Sequence, residues 1–177
     1  MRHLALLALL ALPLPLAAQG ADEVGRAISA FEAGIICAPE VTGTNPAPDT
    51  IAGVTNIVDG PVEFVSRGRN VPAVLGMGFG ARAQAKGGDI FPVTVVVTHP
   101  PMGDAGQTRQ SYETIVRGDE MSITLYQFDF DYELLPGPWV IEAYDGDLLL
   151  FRANFTVVAP ALVPELATLC GYENLLS

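Results

Sequence analysis

Basic residues are scarce in this chain of 177 residues. Nine lysines and arginines face 20 aspartates and glutamates, which gives a formal net charge of −11, and Lys86 is the one lysine. The arginines are scattered, whereas a nucleic-acid binder needs clustered basic side chains to neutralise phosphates. Charged residues make up only 16% of the chain, below the usual ~25%. We therefore expect no nucleic-acid partner, no disordered solvating chain and no long coiled coil.

The chain also lacks a hydrophobic run long enough to span a membrane. A short basic start, Met1–His3, precedes an apolar stretch over residues 4–16, about 13 residues, where a spanning helix needs about 20. Small residues follow at Ala18 and Gly20. This pattern predicts a secretory signal peptide over residues 1–20, cleaved after Gly20 or alternatively after Ala18; a retained N-terminal anchor is the other interpretation. We expect residues 21–177 to form one domain in the periplasm or outside the cell, with no transmembrane segment.

Cysteine is limited to Cys37 and Cys170, near the two ends of the mature chain. Neither lies in a Cys-x-x-Cys motif, and with His99 they are too few for a zinc site. An even count in an exported protein favours one disulfide, with two free thiols as the alternative. A bridge closing so long a loop stabilises the fold by about 5 kcal/mol in the chain-entropy model.

Alternating apolar and polar residues predict an all-β protein. The alternation is clear at residues 28–37 and 149–157, residues 91–98 are dense in Val and Thr, and turn-forming residues separate such segments about every ten positions. Asp145-Gly146 predicts a two-residue hairpin turn. About seven to eight short strands with this spacing indicate an antiparallel β-sandwich.

The segment 121–133 changes its apolar phase from odd to even positions, which predicts a β-bulge near 125–127. Beyond the bulge, Asp129, Asp131 and Glu133 are expected on one strand face. Clustered carboxylates are ligands of calcium, but same-face residues of a strand lie about 7 Å apart. A solvated strand face is therefore the favoured interpretation, and a metal site the alternative.

Two segments rich in turn-forming residues are predicted to be loops. Residues 38–60 are rich in Pro, Thr, Asn, Gly and Asp and are expected to contain at most one short strand. Residues 100–108 are predicted as a second loop. Long loops on a rigid sandwich often carry binding, so these two are the expected contact surfaces for a partner.

Several short segments together resemble the uncharacterised bacterial family DUF3859, a domain of unknown function. They are Val71-Pro72-Ala73-Val74-Leu75-Gly76-x-x-Phe79-Gly80, Thr98-His99-Pro100, Phe128-x-Phe130, Glu133-Leu134-x-Pro136-Gly137-x-Trp139 and Phe155-x-Val157. The resemblance covers roughly residues 28–160. It implies a small exported or envelope β-sandwich of immunoglobulin-like character, and it implies no activity and no catalytic or binding residue.

Two motifs invite an enzymatic interpretation. Gly76–Ala81 fits G-x-G-x-x-A, the outline of a dinucleotide site, but the following segment is too short for the crossover helix and no acidic residue closes a second strand. No cofactor is therefore expected.

His99 is the one histidine beyond the leader, so any hydrolase chemistry depends on it. A histidine that caps a strand-to-loop turn is the favoured alternative, because no G-x-S-x-G motif surrounds any serine.

Aromatic side chains offer a third possibility. Trp139, Tyr126, Tyr132 and Tyr144 could line a carbohydrate-binding platform. Trp139, however, alternates with Ile141 in the manner of a core tryptophan.

The leading hypothesis is thus an exported, non-enzymatic β-sandwich that acts through protein–protein or cell-envelope contacts. A small-ligand or carbohydrate-binding module is the alternative, and a hydrolase that uses His99 is the weaker one.

Overall fold

The computed structural model describes residues 20–37, 39–58 and 62–175. The expected signal-peptide cleavage positions lie outside this part of the chain, apart from Gly20. In chain order the strands are β1 (Glu23–Val24), β2 (Ile28–Ile36), β3 (Val41–Pro46), β4 (Val54–Val58), β5 (Asn70–Pro72), β6 (Gly78–Ala85), β7 (Ile90–Met102), β8 (Gln107–Val116), β9 (Ser122–Gln127), β10 (Gly137–Asp145) and β11 (Leu148–Val158). One α-helix, α1 (Pro164–Cys170), follows the last strand, and short 3₁₀ turns occupy Asp131–Glu133, Pro160–Leu162 and Glu173–Leu175.

The strands form two facing sheets and a separate hairpin. The larger sheet has the order β1-β11-β10-β7-β8, with β5 pairing parallel to β11, and the smaller has the order β2-β6-β9. Seven of these strands, β2 and β6 to β11, are six residues or longer. They make an antiparallel β-sandwich, as the sequence predicts. The third unit, β3 with β4, is a two-stranded hairpin at one side of the sandwich.

Aromatic rings fill the space between the sheets. Phe79 is fully buried, and its ring centroid lies 5.6 Å from Phe128, 5.6 Å from Trp139 and 4.9 Å from Phe155. Trp139 is 0% exposed, and its Nε1 donates to the Leu135 carbonyl at 3.0 Å. A fully buried indole face cannot receive a sugar ring, so Trp139 is a core residue and the platform interpretation of it is wrong.

The predicted disulfide between Cys37 and Cys170 is confirmed. It joins the residue after β2 to the last residue of α1, with 5.2 Å between the two Cα atoms. The bridge therefore fastens the C-terminal helix to the smaller sheet. No helix among the described residues is both long and apolar enough to cross a membrane.

The glycine-rich stretch of residues 76–81 runs from a turn into a strand, not into a helix. Gly76 has a φ of 84° and Gly80 lies inside β6, opposite Leu125. A Cβ on Gly80 would lie 2.1 Å from the backbone oxygen of Thr124. Glycine is needed here because β6 and β9 approach each other closely.

Several boundaries differ from the sequence-based expectation. Residues 38–60 contain the β3–β4 hairpin, and residues 100–108 contain the end of β7, a turn at 103–106 and the start of β8. The turn between β10 and β11 is Gly146-Asp147, one residue later than expected. The bulge near 125–127 is absent, because β9 pairs with β6 without interruption from Ser122 to Gln127.

Candidate functional site

A groove lies between the β3–β4 hairpin and the neighbouring edges of β8 and β9. Its volume is about 560 Å³. Ile123 and Leu125 of β9 line one side, and Tyr112 and Thr114 of β8 line the other. These apolar residues explain the apparent phase change in the sequence. The odd positions Ile123 and Leu125 line the groove, whereas of the even positions Thr124 is buried and Tyr126 packs against the core.

The edge of β9 that borders the groove pairs with no strand of the described chain. Its other edge pairs with β6 throughout. Phe128 N donates to Met77 O, and Gly76 N donates to Phe128 O, so Phe128 directs both backbone groups towards the residues that lead into β6. Because backbone groups alternate along a strand, the N–H and C=O groups of Ile123, Leu125 and Gln127 point to the groove. This open edge is a template for another extended segment.

The hairpin contacts the sandwich through few hydrogen bonds. Ser111 N donates to Asp49 O at 3.2 Å, and Ile51 N donates to Gln110 Oε1 at 2.8 Å, both at the hairpin turn. Asn56 Nδ2 donates to Asp129 Oδ2 at 2.8 Å further along β4. The hairpin is thus attached at its tip and at one point of its second strand.

A chain of buried polar side chains forms the floor of the groove. Gln110 Nε2 donates to His99 Nε2 at 3.1 Å and, at 3.4 Å, to the hydroxyl of Tyr126. That hydroxyl in turn donates to Glu133 Oε1 at 2.7 Å. Buried polar groups are stable only when they are hydrogen-bonded, and this chain links the two sheets below the groove.

Glu133 is held as an acceptor of three hydrogen bonds. Besides Tyr126, the backbone N–H groups of Asp129 and Phe130 donate to its Oε2 at 2.6 and 2.9 Å. Burial raises the pKa of this carboxyl, and the three donors oppose the shift. Burial beside the Glu133 charge also raises the pKa of Tyr126, so its phenol remains a donor.

His99 is fixed as a neutral ring. Its Nδ1 lies 2.8 Å from the Pro100 carbonyl and must donate to it, so Nε2 is the acceptor from Gln110. The ring is 3% exposed and packs on Trp139 with 5.1 Å between centroids. Burial lowers the pKa of His99. Both nitrogens are occupied, and no serine hydroxyl of the described residues bonds to the ring, so the geometry offers no hydrolytic pair.

The predicted carboxylate face does not form. β9 ends at Gln127, and Asp131–Glu133 is a 3₁₀ turn, so Asp129, Asp131 and Glu133 do not alternate along a strand. Both oxygens of Glu133 accept protein hydrogen bonds, and no group of three or more metal-ligating side chains occurs in the described ranges. The predicted strand face of these three residues is therefore wrong, because the turn carries Glu133 inward.

Polar and aromatic residues meet at one end of the groove. Gln127 Nε2 donates to Asp129 Oδ1 at 3.0 Å, whereas Gln127 Oε1 is buried and accepts no hydrogen bond from the described residues. Beside them, Phe130 and Tyr132 stack with 5.2 Å between centroids and 7° between planes. They are 46% and 40% exposed. Of the four aromatic candidates, Tyr132 alone has a largely exposed ring, while Tyr144 is half-buried on β10, outside the groove.

The charges of the groove have one sign. Glu113, Asp129 and Glu133 contribute to its lining, and no lysine, arginine or histidine is among the described lining residues. The sequence does not predict this site, since the composition of residues 38–60 indicates a loop. The apolar odd positions of β9 were the signal that could have indicated it.

These features define the protein as an immunoglobulin-like β-sandwich with an open groove at one edge. A solved immunoglobulin-like protein, PA1606 from Pseudomonas aeruginosa, is similar in fold, with a TM-score of 0.51 and 22% sequence identity over 80% of this chain and 100% of that chain. The chain belongs to the family DUF3859, a domain of unknown function, whose model matches residues 25–157. That range contains the groove and its floor. A comparison with curated proteins found no match.

Proposed function

We propose that this protein is an exported, non-enzymatic interaction module that binds an extended segment of a partner protein in the groove. The observation that carries the proposal is the open edge of β9 beside the groove. An extended peptide that adds to such an edge gains main-chain hydrogen bonds, and flanking pockets select its side chains. The six residues of β9 offer about 20 Å of edge.

The lining of the groove supports a peptide as the occupant. Ile123 and Leu125 provide apolar contact next to the edge, and Thr114 and Gln127 add polar groups. This mixture suits the alternating side chains of a strand, which point in turn towards the groove and away from it. The acidic lining, in a chain of net charge −11, favours a segment with basic residues.

Export is supported by the N-terminal sequence and by the disulfide. Residues 1–20 have the composition of a secretory signal, and disulfides persist in oxidising compartments. The partner would then be a periplasmic, secreted or envelope protein that presents an extended segment.

A displayed library of random nine-residue peptides tests the proposal. Thr114→Trp fills the groove, and Thr94→Trp is the matched control, since Thr94 is exposed on β7 and does not line the groove. We expect the native protein to select a related set of peptides that bind at least about tenfold more weakly to Thr114→Trp and equally well to Thr94→Trp. Failure to select any peptide, or peptides that ignore Thr114→Trp, would contradict the proposal. Glycan-array binding abolished by Thr114→Trp in place of peptide binding would assign the groove to carbohydrate instead.

A further inference from the structure

We propose that the end of the groove formed by Gln127, Asp129 and Phe130 is a receptor for the guanidinium group of one arginine side chain. The inference rests on the proposed function, because this arginine would belong to the bound segment. It specifies that the bound segment contains an arginine and that the arginine side chain binds at this end of the groove.

Gln127 presents an acceptor without a donor. Its Nε2 donates to Asp129 Oδ1, which fixes the orientation of the amide and turns Oε1 away from the carboxylate. Oε1 is buried and receives no hydrogen bond from the described residues. A buried acceptor without a donor is costly, and Gln127 lines the groove, so a small rotation of its side chain would bring Oε1 to a ligand N–H.

Asp129 supplies a charge that no basic side chain neutralises. Each of its oxygens accepts one amide N–H, from Gln127 and from Asn56, and a carboxylate oxygen has a further lone pair. None of the ion pairs among the described residues involves Asp129, which is exposed. The lone pairs that remain can accept hydrogen bonds from a cationic donor.

Phe130 adds an aromatic surface next to these acceptors. Tyr132 stacks on the Phe130 ring at an angle of 7°, which holds it in place, and Phe130 also lines the groove. A planar cation stacks on such a ring with favourable electrostatics. Arginine fits all three features, because its planar fork can donate to two oxygens at once while it stacks, whereas a lysine ammonium is a compact point charge.

The probe for this receptor is N-acetyl-arginine amide, titrated into the full-length mature protein and followed by NMR. We expect saturable shifts of the Gln127 side-chain amide and the Phe130 backbone amide, and at least tenfold weaker binding of N-acetyl-citrulline amide, which keeps the shape without the charge. Asp129→Asn should weaken the arginine derivative at least tenfold. Asp131→Asn is the matched control, since Asp131 is exposed two residues away and does not line the groove; it should change binding less than twofold.

Equal shifts with the citrulline derivative, or an unchanged titration with Asp129→Asn, would overturn the receptor. The amide spectrum of each variant shows whether it is folded. If Asp129→Asn does not fold, Phe130→Leu serves as a second variant. Failure of the arginine receptor can be distinguished from failure of the proposed function. If selected peptides bind the groove but tolerate replacement of arginine by citrulline, only the receptor is wrong. If no peptide binds and the arginine derivative still titrates, only the partner segment is wrong.

Discussion

The hydroxyl of Tyr126 connects Gln110 to Glu133, and Tyr126→Phe removes this one atom from the groove floor. The substitution deletes a 2.7 Å hydrogen bond to the Glu133 carboxylate and a longer contact from Gln110. A hydrogen bond to a charged group contributes about 1.5–3 kcal/mol. The ring itself stays packed, 4.9 Å from Trp139. We therefore expect the free energy of unfolding to fall by about 2 kcal/mol, which lowers the Tm by about 4–8 °C in a domain of this size.

Urea denaturation at pH 8 measures this change. Tyr132→Phe is the control, because Tyr132 is exposed in the same segment and its hydroxyl makes no hydrogen bond with the described residues; it should change stability by less than about 0.5 kcal/mol. The Tyr126 hydrogen bond lowers the pKa of Glu133 against the raising effect of burial. Its removal therefore raises that pKa further, so the stability difference should shrink as the pH falls and Glu133 protonates. Equal stability of the two variants at pH 8 would refute the reasoning.

Three further changes test other parts of the fold. Burial lowers the pKa of His99 below its ordinary value of 6.5, so the unfolded chain binds the proton more readily than the folded chain. The free energy of unfolding relative to His99→Gln should therefore be constant above about pH 6.5 and fall below it by at most about 1.4 kcal/mol per pH unit. A difference between the two proteins that stays constant from pH 8 to 5 in urea titrations would be inconsistent with a buried neutral ring. Replacing both Cys37 and Cys170 by Ser opens a loop with a sequence separation of 133 and should lower the free energy of unfolding by about 5 kcal/mol. Thermal unfolding against the oxidised native protein measures this change. A decrease below about 1 kcal/mol would show that the bridge does not constrain the unfolded chain. Gly80→Ala brings a Cβ to 2.1 Å from a backbone oxygen and should destabilise the fold by about 3 kcal/mol or more. In the control variant Gly88→Ala, the added Cβ meets nothing within 4 Å, so this change should be neutral or slightly stabilising. Similar Tm values for the two variants would contradict the close approach of β6 and β9.

The sandwich could be predicted where one face of a strand is buried and the other is solvated. β11 shows this pattern, since Ala153, Phe155 and Val157 are buried and the residues between them are half-buried. The two cysteines could be paired because the mature sequence offers no other partner. The strand pattern is local in sequence, and the disulfide involves only two residues. Both can therefore be predicted from a single sequence.

The groove could not be predicted because it depends on contacts between distant segments. Ile123 and Leu125 appear out of phase only because the hairpin lies beside the outer face of β9. The hairpin itself is rich in Thr, Asn, Gly and Pro, residues that indicate loops. Glu133 follows an exposed aspartate and an exposed tyrosine, yet a 3₁₀ turn directs it inward to three donors. No periodicity in the sequence reports that turn.

Amide hydrogen exchange along β9 is the most direct test of the central claim that an extended partner segment pairs with this edge. The measurement compares the native protein alone with the protein saturated by a peptide selected on it. We expect exchange to slow at Leu125 and at the other β9 amides that point to the groove, while Tyr126, whose amide points to β6, changes little. Saturation by the peptide with unchanged exchange at Leu125 would contradict the claim.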